Sequence, residues 1–108
     1  MFDSIKIYKG EDINYNFIAK SLIEYGYERC KRISDPGDFS MRGGIIDIFP
    51  PTFEGPVRIE LSGNKVASVK SFSIASNETI EEHTMVIILP KLGLYPKRKR
   101  TREILTGE

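Results

Sequence analysis

At 108 residues, with 40% hydrophobic and 29% charged side chains, the chain is sized and composed as one soluble domain with a modest core. The net charge of +1 conceals an asymmetry: KRKRTR at 97–102 holds five of the sixteen basic residues, and the part before Pro96 has 11 basic and 13 acidic residues, a net of −2. A slightly acidic body is a poor grip for a nucleic-acid backbone, and the longest apolar run, Met85 to Leu89, is far too short to cross a bilayer.

Residues 5–8 (IKIY) read as a short strand, broken by Gly10. Asp12 offers a side-chain oxygen to cap a helix over roughly 13–25, with Phe17, Ile18, Leu22 and Tyr25 on one stripe and Gly26 as its stop. From Tyr27 the pattern becomes β. Tyr27 to Ile33 is a charged strand, and Asp35-Pro36-Gly37-Asp38 a turn. Phe39 and Met41 then share one face, with Ser40 and Arg42 on the other. Gly43-Gly44 permits a bulge or tight bend. Ile45 to Phe49 is apolar except for Asp47, and Pro50-Pro51 ends it. Val57, Ile59 and Leu61 alternate with Arg58 and Glu60, and Ser62-Gly63-Asn64 suits a hairpin. Val66 to Ile74 and Met85 to Leu89 complete the sheet.

This order predicts an α+β fold: an antiparallel sheet of about six strands with one N-terminal helix packed on it. A β-barrel with a stray helix is the alternative. The domain is expected over 1–95, with 96–108 as a basic linker or tail.

Motifs for catalysis are missing. No P-loop occurs, and Ser62-Gly63-Asn64-Lys65 is better explained as a hairpin turn. One histidine and one cysteine cannot build a zinc site alone, so neither metal nor cofactor is expected. His83, after Glu81-Glu82, reads as an exposed residue of a polar turn. Cys30 reads as a half-buried structural thiol rather than a nucleophile. Asp35 and Asp38 read as turn formers. Asp47 must face solvent or find a donor, and an arginine on an adjacent strand would satisfy it. The chain is not expected to be an enzyme. Met1-Phe2-Asp3 is not followed by a basic or apolar signal region, and Cys30 is single; both predict a cytoplasmic setting.

Ser40, Arg42, Arg58 and Glu60 should therefore face away from the core, with Arg29 nearby in the same sheet. Such a face is either a plain solvated surface with cross-strand ion pairs or a docking surface, since guanidinium groups bind carboxylates in pairs of hydrogen bonds. The tail reads as a linker; direct nucleic-acid binding through it is the other reading.

The run from Gly26 to Phe72 resembles the UvrB-homology module of bacterial transcription-repair coupling factors and, more distantly, the UvrA-binding domain of the excinuclease subunit UvrB. The matching residues are Gly26, Tyr27 and Arg29; Pro36, Gly37 and Phe39; Arg42-Gly43; Ile46-Asp47-Ile48-Phe49-Pro50; and Pro56, Arg58, Ile59, Glu60 and Leu61. The resemblance implies a bacterial protein–protein docking module that binds UvrA through Arg29, Arg42, Arg58 and Glu60. The alternative it implies is an autoinhibitory clamp, in which another domain of the parent chain covers this surface. ATP-driven translocation, DNA and RNA polymerase would belong to other parts of such a parent, and no membrane is involved. Two departures bear on affinity. UvrB has arginine where Ser40 stands, and the family usually has an aromatic residue where Ser62 stands, which implies weaker docking.

Overall fold

The alternation from Asp38 to Phe72 folds into four consecutive antiparallel strands in the computed structural model, which describes residues 4–51 and 55–91. In chain order the elements are β1 (Ile5–Tyr8), α1 (Tyr15–Glu24), β2 (Glu28–Arg29), β3 (Asp38–Arg42), β4 (Ile45–Ile48), β5 (Val57–Ser62), β6 (Lys65–Phe72), β7 (Thr79–His83) and β8 (Met85–Ile88). The six strands β2 to β7 form one sheet in sequence order, while β1 and β8 pair antiparallel as a separate two-stranded sheet.

The α+β class holds, with two corrections. The main sheet is mixed, because β2 runs parallel to β3. Met85 to Leu89 does not complete this sheet, because β8 pairs with β1 instead. The strand expected over Tyr27–Ile33 shrinks to two residues. The chain must cross from the end of β2 to the start of β3, and only a short parallel contact survives so tight a crossover. A strand is also gained: Thr79–His83 extends the sheet as an edge.

One face of the main sheet carries the core. Phe39, Met41, Ile46, Ile48, Val57, Ile59, Val66 and Val69 pack with Ile18 and Leu22 of α1, Ile7 of β1, and Val86 and Ile88 of β8. The helix and the small sheet thus form the second layer of a two-layer domain. The segment after β1 runs along β6, where Gly10 N donates to Val66 O (2.8 Å) and Ile13 N to Asn64 O (2.8 Å).

The helix begins at a different cap from the one expected. Asn14 caps it, its side-chain oxygen accepting from Phe17 N at 2.9 Å, whereas Asp12 bridges to Lys65. Phe17 is exposed, so only Ile18 and Leu22 of the stripe are buried. Gly26 ends the helix at φ 95° and donates to Ile23 O. Gly43-Gly44 is a two-residue hairpin, with Arg42 opposite Ile45. The hairpin at Gly63-Asn64 forms as read, between Ser62 and Lys65. The basic tail and the predicted boundary at 95/96 lie outside the described residues.

Candidate interaction face

The polar residues of each alternating strand fall on the sheet face away from the main core. Register puts Ser40, Asp47, Arg58, Lys70 and Glu82 in one row across β3 to β7. A second row runs from Arg42 through Ile45 to Glu60 and Ser68. Neighbours in such rows stand about 5 Å apart, close enough for side chains to pair.

Two features differ from a plain wet face. Ser40 and Asp47 are buried, at 3% and 5% exposure. Ile33 and Phe72 are buried as well, yet stand outside the main core cluster. Two loops explain this. The β2–β3 crossover and the 73–77 turn close over the face and form, with β3 to β6, the walls of a recess of about 490 Å³. The expectation that the whole polar set stays wet is therefore corrected: alternation selects the face but is blind to loops that fold back over it.

Arg58 is held rather than displayed. Its Nε donates to Asp47 Oδ1 at 2.8 Å, and its Nη2 donates to Asp47 Oδ2 at 3.1 Å and to Asn77 Oδ1 at 3.0 Å. The guanidinium also stands 4.3 Å from the centre of the Phe72 ring, a distance at which the ring's quadrupole attracts a cation. The hydrogen bond to the Asp47 carboxylate, followed by the negative charges of Asp47 and Glu60, raises the Arg58 pKa above its ordinary value. Asp47 thus receives the adjacent-strand arginine that its place in an apolar strand demanded. Asn77 is the only described non-glycine residue with positive φ (64°). Its turn is closed by Asn77 N donating to Ser73 O at 2.6 Å.

Glu60 is also engaged. It accepts from Ser68 Oγ (2.6 Å) and pairs with Lys70 Nζ (3.1 Å). The Ser68 bond, then Lys70, holds its carboxyl below the usual range.

Arg42 is exposed beside the recess with no ion-pair partner among the described residues. Ser62 is exposed at the hairpin end of β5, opposite Lys65. Arg29 is exposed on β2, but its register partner is the core residue Phe39, so it does not join the Arg58 row. The sheet thus brings Arg42, Arg58 and Glu60 together and leaves Arg29 at an edge.

Sequence reasoning missed Asn77, Phe72, Lys31 and Arg32. A turn-forming Asn within SNET was visible, but not its contact with Arg58 nineteen positions earlier. His83 is not the exposed turn residue expected. It is half-buried in β7, its Nε2 3.3 Å from Ser71 Oγ. Cys30 is half-buried as read, with Sγ near Arg32 O (3.4 Å) and Phe39 O (3.5 Å), and burial raises its pKa. Asp38 does form its turn, accepting from Ser34 N and Asp35 N at 3.0 Å each.

The chain is thus an α+β domain with its core on one sheet face and a charged recess on the other. Residues 5–93 match the UvrB interaction domain, and the chain belongs to that family. Among curated proteins it is similar to the transcription-repair-coupling factor of Bacillus subtilis (strain 168), 47% identical over 92 residues, which is 83% of this chain and 8% of that protein. It is likewise similar to that of Mycobacterium tuberculosis (strain CDC 1551 / Oshkosh), 35% identical over 105 residues, 94% of this chain and 8% of that protein. The factor of Staphylococcus haemolyticus (strain JCSC1435) is 45% identical over 76 residues, 68% of this chain and 6% of that protein. The chain thus spans less than a tenth of the length of these relatives. Among the described residues, no helix is long and apolar enough to cross a membrane.

Proposed function

We propose that the chain is the UvrA-docking module of a transcription-repair coupling factor, recruiting nucleotide excision repair to stalled transcription in the bacterial cytoplasm. The observation that carries this reading is the match to the UvrB interaction domain across residues 5–93. The outer sheet face supports it: Arg42 is accessible, and Arg58 and Glu60 are fixed in orientation by their neighbours. Held side chains lose little freedom on binding, so their contacts keep more of their value. Arg29 and Ser62 would lie at the margins of the contact.

A calorimetric titration against UvrA tests the proposal. Arg42→Ala, exposed and unpaired, should weaken binding about tenfold while leaving the thermal midpoint unchanged. Unchanged affinity would remove Arg42 from the contact, and no binding by the parent chain would remove the reading.

Ser62 favours a second reading, in which another domain of the parent protein occupies this face. An exposed serine at the end of β5 supplies no apolar anchor for UvrA. Mixing the chain with the rest of its parent protein separates the two, because only the clamp requires that binding. Translocation on DNA and contact with RNA polymerase belong, in both readings, to other parts of the parent.

A further inference from the structure

The recess on the outer face contains one buried hydroxyl without a hydrogen-bond partner among the described residues. Its floor includes Ser40, Asp47 and Phe72, and its rim carries Lys31, Arg32 and Arg42. Both oxygens of Asp47 accept from Arg58. Ser40, in contrast, is 3% exposed, and its hydroxyl has no hydrogen-bond partner among the described residues. Buried hydroxyls are nearly always paired, because an unmade bond costs stability with no return from solvent. An unpaired one at the floor of an open recess marks the place where a ligand atom completes it.

The rim identifies the ligand's charge. Lys31, Arg32 and Arg42 are exposed, and none has an ion-pair partner among the described residues. Asp47, the carboxylate that also lines the recess, is neutralised by Arg58. Three unpaired cations around one unpaired hydroxyl therefore select an anion. A carboxylate fits best: it accepts bidentate arginine and a hydroxyl donor together.

We infer that this recess receives the carboxylate of an acidic side chain on a protein partner, with Ser40 Oγ donating to it and Lys31, Arg32 and Arg42 balancing its charge. A nucleic-acid phosphate fits less well. Glu78, Glu81 and Glu82 flank and form β7 of the same sheet, and the part of the chain before Pro96 is net negative, so a long polyanion meets repulsion beyond the recess. The partner's identity rests on the docking reading above; the chemistry of the ligand does not.

The test follows amide chemical shifts while hexaglutamate, hexalysine or a DNA duplex is titrated in, with UvrA affinity measured in parallel. Hexaglutamate should move the signals of Ile33, Ser40 and Arg42, and hexalysine should not. Arg32→Ala should weaken hexaglutamate and UvrA alike, whereas Lys20→Ala on the exposed side of α1 should change neither. Ser40→Ala is the sharper variant. It should lower UvrA affinity by about tenfold yet leave the thermal midpoint unchanged or raised, because it removes a buried group without a partner. A merely structural serine would lose midpoint instead, and that result overturns the proposal. So does the absence of any hexaglutamate shift, or DNA binding stronger than hexaglutamate binding with the same sensitivity to Arg32→Ala. UvrA binding that ignores both Ser40→Ala and Arg32→Ala overturns the recess and leaves the docking reading standing. Hexaglutamate shifts without any UvrA binding do the reverse.

Discussion

At Arg58, the residue most naturally cut to alanine to probe the outer face, a loss of binding would be ambiguous. Its guanidinium satisfies Asp47, which is 5% exposed, so Arg58→Ala strands a buried carboxylate. We expect Arg58→Ala and Asp47→Ala each to lower stability in urea by about 2 kcal/mol. The double variant should lose less than the sum of the two, since removing both partners leaves no orphaned charge. Additive losses would show that the pair is not coupled. Glu60 gives the face a pH signature. Its folded pKa lies below the ordinary 4.5, held down by the Ser68 bond and Lys70. Its stabilising share is therefore complete above about pH 4.5 and is lost as pH falls through the lower folded value. Glu60→Gln should flatten that acid limb in thermal melts between pH 5 and 2. Cys30 should react with iodoacetamide at pH 8 more slowly in the folded chain than in urea, because burial raises its pKa and leaves less thiolate.

Each element contributes through its ends as much as through its length. The ten-residue helix buries only Ile18 and Leu22 and has no acidic residue in its first turn, so its N-terminus relies on Asn14. Asn14→Ala should cost about 1 kcal/mol, and Asp12→Ala much less; equal effects would mean that the cap has been misplaced. The β3–β4 hairpin is constrained by closeness. Leu61 N donates to Gly44 O at 2.7 Å, and a Cβ on Gly44 would stand 3.0 Å from Leu61 O. Gly44→Ala should therefore lower the thermal midpoint by pushing β4 from β5 at the end that carries Arg42.

For the whole molecule, the organising fact is that the two sheet faces do different work. One face meets α1 and the β1–β8 pair and is dry. The other is roofed in part by the β2–β3 crossover and the 73–77 turn, which turn a charged surface into a recess. The chain's first and last described strands form one pair that closes the core, with Ile7 and Ile88 nearly fully buried. Removing residues 1–8 should therefore abolish cooperative unfolding rather than trim a loose end, because β8 loses its hydrogen-bonded partner and both layers are opened. Retention of a sharp urea transition by the truncated chain would contradict this.

Much was readable without coordinates because it is local or periodic. Strand alternation assigned Phe39, Met41, Val57, Ile59 and Leu61 to the inward side and Arg42, Arg58 and Glu60 to the opposite face, since successive residues of a strand point to opposite sides. The stop at Gly26 and both tight hairpins follow from backbone preferences of a few neighbouring residues. The need of Asp47 for a donor followed from a carboxylate placed among isoleucines. Folding in three dimensions supplied what joins distant positions: the β1–β8 pairing, the parallel contact of β2 with β3, and Asn77 on Arg58. It also set which of the outward residues are covered. Period-two alternation names a face, but loops from elsewhere in the chain determine whether that face is wet. Here they bury Ser40 and leave Arg42 exposed, two residues apart on one strand.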